Sequence, residues 1–283
     1  MKLFFIKLLL LLSLSYSAFA SSGNRDSTFY FFPHSRIFPS VFLDPLECQI
    51  SGASNFLSRK GNNLSLYNLV NFGFTTPVIA KHSEAFSWEI NFGAATFTQF
   101  DLLKKSNGSY LAGLLNNDYK LTADFSLQKN RNVFRLRLFH ISSHLGDDYM
   151  LRHNDTIPND KSDNYEQADF TFLRLNGKDY WYAGAGEIYT PYSFRKRFSV
   201  FGGGLWNFGK SEKINFFGSF NLKLLQENNF SPDFRDAYGI NIMRNKEPLL
   251  RIWIEFYSGH LPYSTLKYGR ISWIGAGMSI CLK

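Results

Sequence analysis

The chain has 283 residues, and aromatic residues make up 18% of it, with 30 Phe and 15 Tyr beside only 9 Pro. This composition is typical of many strands flanked by aromatic rings, and the length allows one all-β domain or two smaller domains. The net charge of +8 is scattered without a cluster of Lys and Arg, which argues against nucleic acid as a partner.

The first twenty residues, 1–20, form a predicted secretory signal peptide. Lys2 and Lys7 flank a run rich in Leu and Phe, and Ala18-Phe19-Ala20 supplies the pattern of a cleavage site, so we expect cleavage after Ala20. The apolar run from Leu8 to Leu14 is too short to cross the roughly 30 Å hydrocarbon core as a helix. The mature chain is therefore expected to be exported, and any membrane residence must come from strands.

The next stretch, residues 21–45, has no regular alternation and contains Pro33 and Pro39 among many aromatic residues. We predict that it is an irregular periplasmic segment. Alternation of apolar and polar residues begins after Asp44-Pro45, so residues 46–283 are predicted to form one domain of strands, an outer-membrane β-barrel.

This alternation is clearest in Leu111 to Gln128 and in Ile214 to Leu225, each of which has one polar and one apolar column. Short polar turns alternate with longer links, such as His144 to Tyr165 and Gln226 to Arg235. The pattern predicts an all-β transmembrane antiparallel up-and-down β-barrel of about 12 strands, in the outer membrane of a Gram-negative type bacterium. A soluble β-sandwich is the alternative, since its strands also alternate.

One strand, Val133 to Leu145, sets the expected orientation of the wall. Successive side chains of a strand point to opposite faces, so Leu136 and Leu138 share one face. Arg135 and Arg137 share the other. In a membrane barrel the aliphatic face contacts lipid, and the arginine face lines the lumen.

The lipid-facing column of this strand ends in three polar residues, His140, Ser142 and His144. A spanning strand needs about 9 to 11 residues, which places these side chains at the outer membrane interface. Glu166 lies on the next strand, at the same end and on the same face. If the hairpin is symmetric, Glu166 lies beside Ser142 and His144. The group is either an interfacial polar cap or an active site.

Serine, imidazole and carboxylate together suggest nucleophilic catalysis, in which the imidazole takes the serine proton and the carboxylate orients the imidazole. The candidate catalytic roles are Ser142 as nucleophile, His140 as general base and Glu166 as orienting acid. His144 is an alternative base, or a metal ligand together with Asp147 and Asp148. The sequence contains no known metal-binding spacing, so it leaves open whether a metal ion binds here. It indicates no cofactor.

The run His140-Ile141-Ser142 resembles the outer-membrane phospholipase A and lipid A deacylase barrels, which carry a His-x-Ser pair on a lipid-facing strand. The resemblance implies a lipid hydrolase. Those families follow the serine with Asn, whereas this chain has Ser143. Their acid or amide partner lies further along the chain, where this sequence has Asn154 and Asp155.

A wider resemblance starts near Phe38 and extends over most of the chain. Its motifs are Phe38-Pro39 with Asp44-Pro45, then Leu115-Asn116-Asn117-Asp118-Tyr119, then the signature Phe139-His140-Ile141-Ser142-Ser143-His144-Leu145-Gly146-Asp147-Asp148, and finally Asn164-Tyr165-Glu166. These runs resemble a family of bacterial outer-membrane barrels that is known only as a domain of unknown function, where Glu is expected in place of Asp148. The family implies an outer-membrane barrel and carries no established activity.

The two cysteines, Cys48 and Cys281, lie near opposite ends of the mature chain. In a closed barrel the first and last strands pair, so a disulfide across that seam is one alternative in an oxidising compartment. Two free thiols are the other alternative. We favour free thiols, because a disulfide forms only if the strand register brings the two cysteines into bonding geometry.

Two functions therefore stay open. One is a serine esterase that acts on membrane lipid at the outer rim. The other is a non-catalytic barrel, either a narrow pore or a structural or adhesive protein, with or without assembly into a homo-oligomer. In the second case a network of charged residues fills or tunes the lumen, and its members are Asp118, Lys120, Asp124, Arg135, Arg137 and Asp169.

Overall fold

Twelve antiparallel strands form a closed barrel in the computed structural model, which describes residues 28–59, 64–104, 110–152, 163–190, 196–209, 211–263, 266 and 269–281. The predicted up-and-down barrel is confirmed. The elements are β1 (Thr28–Phe31), β2 (Ile50–Arg59), β3 (Ser65–His82), β4 (Ser87–Lys104), β5 (Tyr110–Lys129), β6 (Asn132–Leu145), α1 (Asp147–Arg152), β7 (Asp163–Asn176), β8 (Asp179–Ile188), β9 (Phe198–Phe208), β10 (Ile214–Leu225), a 3-10 turn (Gln226–Asn228), β11 (Pro232–Arg244), β12 (Glu247–His260) and β13 (Arg270–Ile280). Within these ranges, no helix is both long and apolar enough to cross a membrane.

The ring closes because β2 pairs with the last strand, β13, as well as with β3. Tight turns join the strands at one end, which we call the short-turn end. Two of these turns contain Asn130 and Gly177 with positive φ angles of 56° and 67°, as two-residue hairpin turns require. Longer links, such as residues 146–162, join the strands at the long-loop end. The chain enters the ring at Ile50 and leaves it at Ile280, and both residues lie at the short-turn end.

Side chains alternate between the outer wall and the lumen. On β6, Leu136 and Leu138 face outward and are half-buried, whereas Arg135 and Arg137 face inward and are 2% and 3% exposed. The predicted assignment of the two faces is therefore confirmed. An apolar belt covers the outer wall, as a lipid-facing surface requires. It includes Phe74, Phe92, Leu121, Phe170, Trp181, Phe216, Tyr238, Ile254 and Ile274.

The N-terminal segment, residues 32–49, enters the lumen. Its Phe42 ring packs edge-on against Phe217 and Trp253, with ring centroids 5.4 and 4.8 Å apart. These rings belong to an apolar cluster that also contains Ile37, Phe38, Val41 and Leu43 of the segment. A second apolar cluster fills the lumen toward the long-loop end. Of the stretch predicted to be an irregular periplasmic segment, Thr28–Phe31 form strand β1 on the wall, and residues 37–45 pack inside the barrel. Residues 1–27, including the predicted signal peptide, lie outside the described residues.

A charged layer lies in the lumen and joins the N-terminal segment to the wall. Arg137 donates to Asp169 at 2.7 Å and to Asp44 and Glu47 at 3.2 Å each, and Arg135 also donates to Glu47 at 3.2 Å. Asp44 and Glu47 belong to the segment, so its position depends on these ion pairs. All six charged residues predicted for the lumen are buried there, and they are Asp118, Lys120, Asp124, Arg135, Arg137 and Asp169.

Asp44 is expected to make barrel stability depend on pH. Burial alone would raise the pKa of this carboxyl, but the charges of Arg137, Lys223 and Lys120 outweigh burial and lower the pKa from 3.8 to about 2. A carboxyl with a lowered folded-state pKa stabilises the fold above its unfolded pKa, and this stabilisation is lost as the pH falls through the folded value.

We expect Asp44→Asn to lower the free energy of unfolding at neutral pH by about 2 kcal/mol. Between roughly pH 4 and pH 2 the variant should lose less stability than the wild type, because it lacks the titrating group. Urea unfolding in detergent, followed by tryptophan fluorescence, measures both quantities. An equal pH dependence in the two proteins would contradict the role of Asp44.

β1 extends the wall at the short-turn end. It pairs with Ile79 to His82 of β3, on the same edge that β2 occupies from Ser65 to Asn71. Phe32, which follows β1, donates its backbone N–H to the carbonyl of Val78 at 2.9 Å. Sheet pairing therefore holds the chain on both sides of the lumen segment, at β1 before it and at β2 after it.

The two cysteines lie next to the strands that close the ring. Cys48 is buried in the cluster toward the long-loop end, just before β2, and Cys281 follows β13. Both thiols are free, so the part of the chain that the structure describes has no disulfide across the seam.

Candidate functional site

The outer wall carries a histidine and glutamate pair at the long-loop end of β6 and β7. His140 and Glu166 are direct partners in the strand register, and His140 Nδ1 lies 2.9 Å from Glu166 Oε1. Their side chains are 43% and 33% exposed, on the lipid-facing side of the wall. If Nδ1 carries the proton that Glu166 accepts, the other ring nitrogen, Nε2, is an unprotonated acceptor.

Ser142 and His144 follow on the same column. Ser142 Oγ lies 2.8 Å from His144 Nε2, and the His144 ring packs against Tyr119 with centroids 5.9 Å apart. The structure thus brings together two pairs, Ser142 with His144 and His140 with Glu166. Among the described residues, the hydrogen bond of Ser142 goes to His144 and not to His140.

The expected position of Glu166 needs one correction. A symmetric hairpin predicts Glu166 beside Ser142 and His144, whereas the register places Asn164 opposite Ser142 and Glu166 opposite His140. The observed register is shifted by two residues along β7 from the predicted pairing of Glu166 with Ser142. In this register Glu166 lies directly beside His140, the imidazole that it is predicted to orient.

Backbone contacts hold Glu166 in place. Its N–H donates to Thr190 Oγ1 at 3.0 Å, and its carbonyl accepts the N–H of Tyr189 at 3.1 Å. Both partners belong to the link that follows β8. Burial and the charge of Glu166 raise the pKa of Tyr189, so this phenol stays protonated at the rim.

The neighbouring strands add a polar group that the sequence did not assign to the site. Asn117 faces His144 across the β5 and β6 pair, and its Oδ1 accepts the hydroxyls of Thr96 and Thr98 at 2.6 and 2.9 Å. Asn117 lies in the run of residues 115–119 that supported the family resemblance, which was the one signal for it. The sequence pattern does not give the register between β5 and β6, so it could not place this run beside Ser142.

Asp147 and Asp148 begin helix α1. Asp148 Oδ2 accepts the backbone N–H of Leu114 at 2.8 Å, so this carboxylate fastens the helix to β5. Arg152 at the other end of the helix pairs with Asp101 at 2.8 Å. The described residues include no group of three or more His, Cys, Asp or Glu suited to hold a metal ion. Asn154 and Asp155 lie outside the described residues.

An open groove of about 570 Å³ runs along the outer wall next to the His140 and Glu166 pair. His140, Glu166 and Tyr189 line one end of it. The remaining lining is mostly apolar and comes from the outer faces of β3 to β6. Its residues include Phe74, Phe92, Ala94, Leu121, Ala123 and Leu138.

The closed ring and its apolar outer belt define an outer-membrane β-barrel protein. The chain belongs to the family described as "Protein of unknown function (DUF1207)", whose model matches residues 28–281. The predicted membership in a barrel family of unknown function is confirmed. No curated protein sequence matches the chain.

Solved structures with the same fold include two outer-membrane phospholipases. The Salmonella typhi outer membrane phospholipase, in a dimer with bound calcium, aligns with a TM-score of 0.53 at 9% identity and covers 82% of this chain and 90% of its own. The outer membrane phospholipase A from Escherichia coli aligns with a TM-score of 0.52 at 8% identity over 88% of this chain and 94% of its own. At this identity the likeness establishes the barrel fold, which supports an outer-membrane location.

Proposed function

We propose that this barrel hydrolyses ester bonds of membrane lipids at its outer wall, near the long-loop end. The observation that carries the proposal is the serine hydroxyl of Ser142, hydrogen-bonded to one imidazole at 2.8 Å, beside a second imidazole that pairs with Glu166 at 2.9 Å. Such groups on a lipid-facing wall meet their substrate in the bilayer without an entry route. The fold shared with two phospholipases is consistent with this chemistry.

Ser142 is the proposed nucleophile, and His140 is the proposed general base. Glu166 accepts from Nδ1 of His140, which fixes the tautomer that leaves Nε2 free to take a proton from Ser142. His140 and Ser142 are two residues apart on one column, so a rotation of the serine side chain moves Oγ from His144 toward His140. In the resting protein, the bond to His144 holds the hydroxyl.

The reaction follows the ordinary course of ester hydrolysis through an acyl-enzyme. Ser142 Oγ attacks the ester carbonyl while its proton passes to His140 Nε2, and that proton then leaves with the alcohol of the lipid. Water, activated by the same imidazole, releases the fatty acid and restores the serine. Glu166 stabilises the imidazolium that forms in each half of the reaction.

Labelling by a fluorophosphonate, which reacts with activated serines, tests the proposal. In lipid-reconstituted protein we expect His140→Asn to lower the labelling rate by about 100-fold or more, because the base is removed. His144→Asn should lower the rate less, since it removes only the resting partner. Loss in His144→Asn with retention in His140→Asn would reverse the two roles. Wild-type protein that neither labels nor releases fatty acid from phospholipid vesicles would overturn the esterase.

A non-catalytic barrel is the second candidate, and the filled lumen favours its structural form over a pore. The N-terminal segment, the charged layer and two apolar clusters occupy the interior of the ring. Ion conductance of the reconstituted protein in planar bilayers would instead support a pore.

A further inference from the structure

The strand register shows how the residues that line the groove on the outer wall are arranged. Phe74, Ala94, Leu121, His140 and Glu166 are successive cross-strand partners on β3 to β7, so they form one row across the wall. The next row toward the short-turn end contains Thr76, Phe92, Ala123 and Leu138. The groove follows these two rows, and its polar end is the His140 and Glu166 pair.

Small side chains create the depression. Ala94 and Ala123 are half-buried, whereas Phe74, Phe92 and Leu121 around them are 54%, 53% and 65% exposed. The large side chains stand above the wall and the two alanines lie below them. A substitution that fills either alanine position would therefore fill the groove.

The dimensions and surroundings of the groove select one kind of occupant. Two rows that lie two residues apart along a strand are separated by roughly 7 Å, which is narrower than the roughly 10 Å diameter of a helix with side chains. From β3 to β6 the groove crosses three strand spacings, or roughly 14 Å. It lies within the apolar belt, where the hydrocarbon of the bilayer covers the wall. A single extended hydrocarbon chain fits these limits.

We infer that the groove binds one long acyl chain of the lipid substrate and holds its ester at the polar end, so that the protein selects long-chain esters over short ones. The inference rests on the proposed esterase function and names its substrate class. The acyl chain extends from His140 over Ala123 and Ala94, between the protruding side chains of Leu121 and Phe92, and the ester carbonyl lies toward Ser142.

The test compares palmitoyl and butyryl esters of p-nitrophenol in the same detergent micelles, with three Ala→Phe variants. Ala94→Phe and Ala123→Phe fill the groove. Ala276→Phe, on the outer face of β13, makes the same change outside it. We expect the ratio of palmitoyl to butyryl kcat/KM to fall at least tenfold in the two groove variants, since the loss of two methylene contacts accounts for roughly that factor. Ala276→Phe should keep the wild-type ratio.

Fluorophosphonate labelling and the size of the protein in detergent are measured on the same samples. An unchanged ratio in a groove variant that still labels would overturn the acyl groove and leave the esterase standing. Wild-type protein without labelling or hydrolysis would overturn both. A groove variant that changes the number of copies per particle, and slows both esters equally, would assign the groove to a second copy of the chain and overturn the inference.

Discussion

Replacing Ser142 by alanine is expected to abolish fluorophosphonate labelling and to lower the release of fatty acid at least a thousandfold. The expectation follows from the proposed role of the hydroxyl as the nucleophile that forms the acyl-enzyme. In-gel fluorescence measures the labelling, and titration of fatty acid from phosphatidylethanolamine vesicles measures hydrolysis. Since Ser142 faces outward from the wall, the substitution leaves the packing of the lumen intact.

Ser143→Ala is the matched control for this experiment. It removes the same atoms one residue further along β6, but Ser143 faces the lumen, where its hydroxyl donates to Asp118. Labelling should persist in Ser143→Ala at close to the wild-type rate. If Ser143→Ala lost the label and Ser142→Ala kept it, the reactive serine would lie inside the barrel, and the lipid-facing site would be wrong.

Replacing Glu47 by alanine is expected to lower the free energy of unfolding by about 3 to 5 kcal/mol. Glu47 is 2% exposed and accepts from Arg135 and Arg137, so its removal leaves two buried guanidinium groups without this partner. The breaking of a buried ion pair is costly because the remaining charge cannot regain its hydration. Urea unfolding in detergent micelles, followed by tryptophan fluorescence, measures the difference.

Glu247→Ala is the matched control, since it makes the same change in an exposed pair. Glu247 lies 3.5 Å from Lys178 at the short-turn end, and its side chain is 48% exposed. Its loss should cost less than about 1 kcal/mol. If Glu47→Ala fails to form the barrel, Glu47→Gln retains the side-chain volume and measures the charge alone. Equal effects at the two glutamates would mean that the lumen layer does not hold the segment.

The alternation of side chains was sufficient to predict which residues of the wall face outward and which face the lumen. On β6 it separated Leu136 and Leu138 from Arg135 and Arg137, and the structure places these pairs on the outer wall and in the lumen. It succeeds because the side-chain period of a strand is two, so a single strand already defines both faces of the wall. The count of short turns and long links then defines the number of strands.

The contacts of Glu166 and of the N-terminal segment were not predictable in the same way. The partner of Glu166 depends on the register of β6 and β7, and the link between these strands sets that register without leaving a periodic signal. Asp44 and Glu47 lie in an irregular segment, where no repeating pattern indicates which way a side chain points. Asn117 was visible as part of a motif, but its neighbour His144 belongs to another strand.

The pairing of β1 with β3 has a consequence for any passage of solutes through the ring. Residues 32–49 are fastened by sheet hydrogen bonds at both ends, so they are an internal loop of the wall and not a free tail. Both attachment points lie at the short-turn end, so the segment can leave the interior as a loop through that end without any strand separating. A solute path through the ring therefore depends on breaking the ion pairs of Asp44 and Glu47 with Arg137 and Arg135, while the sheet itself stays closed.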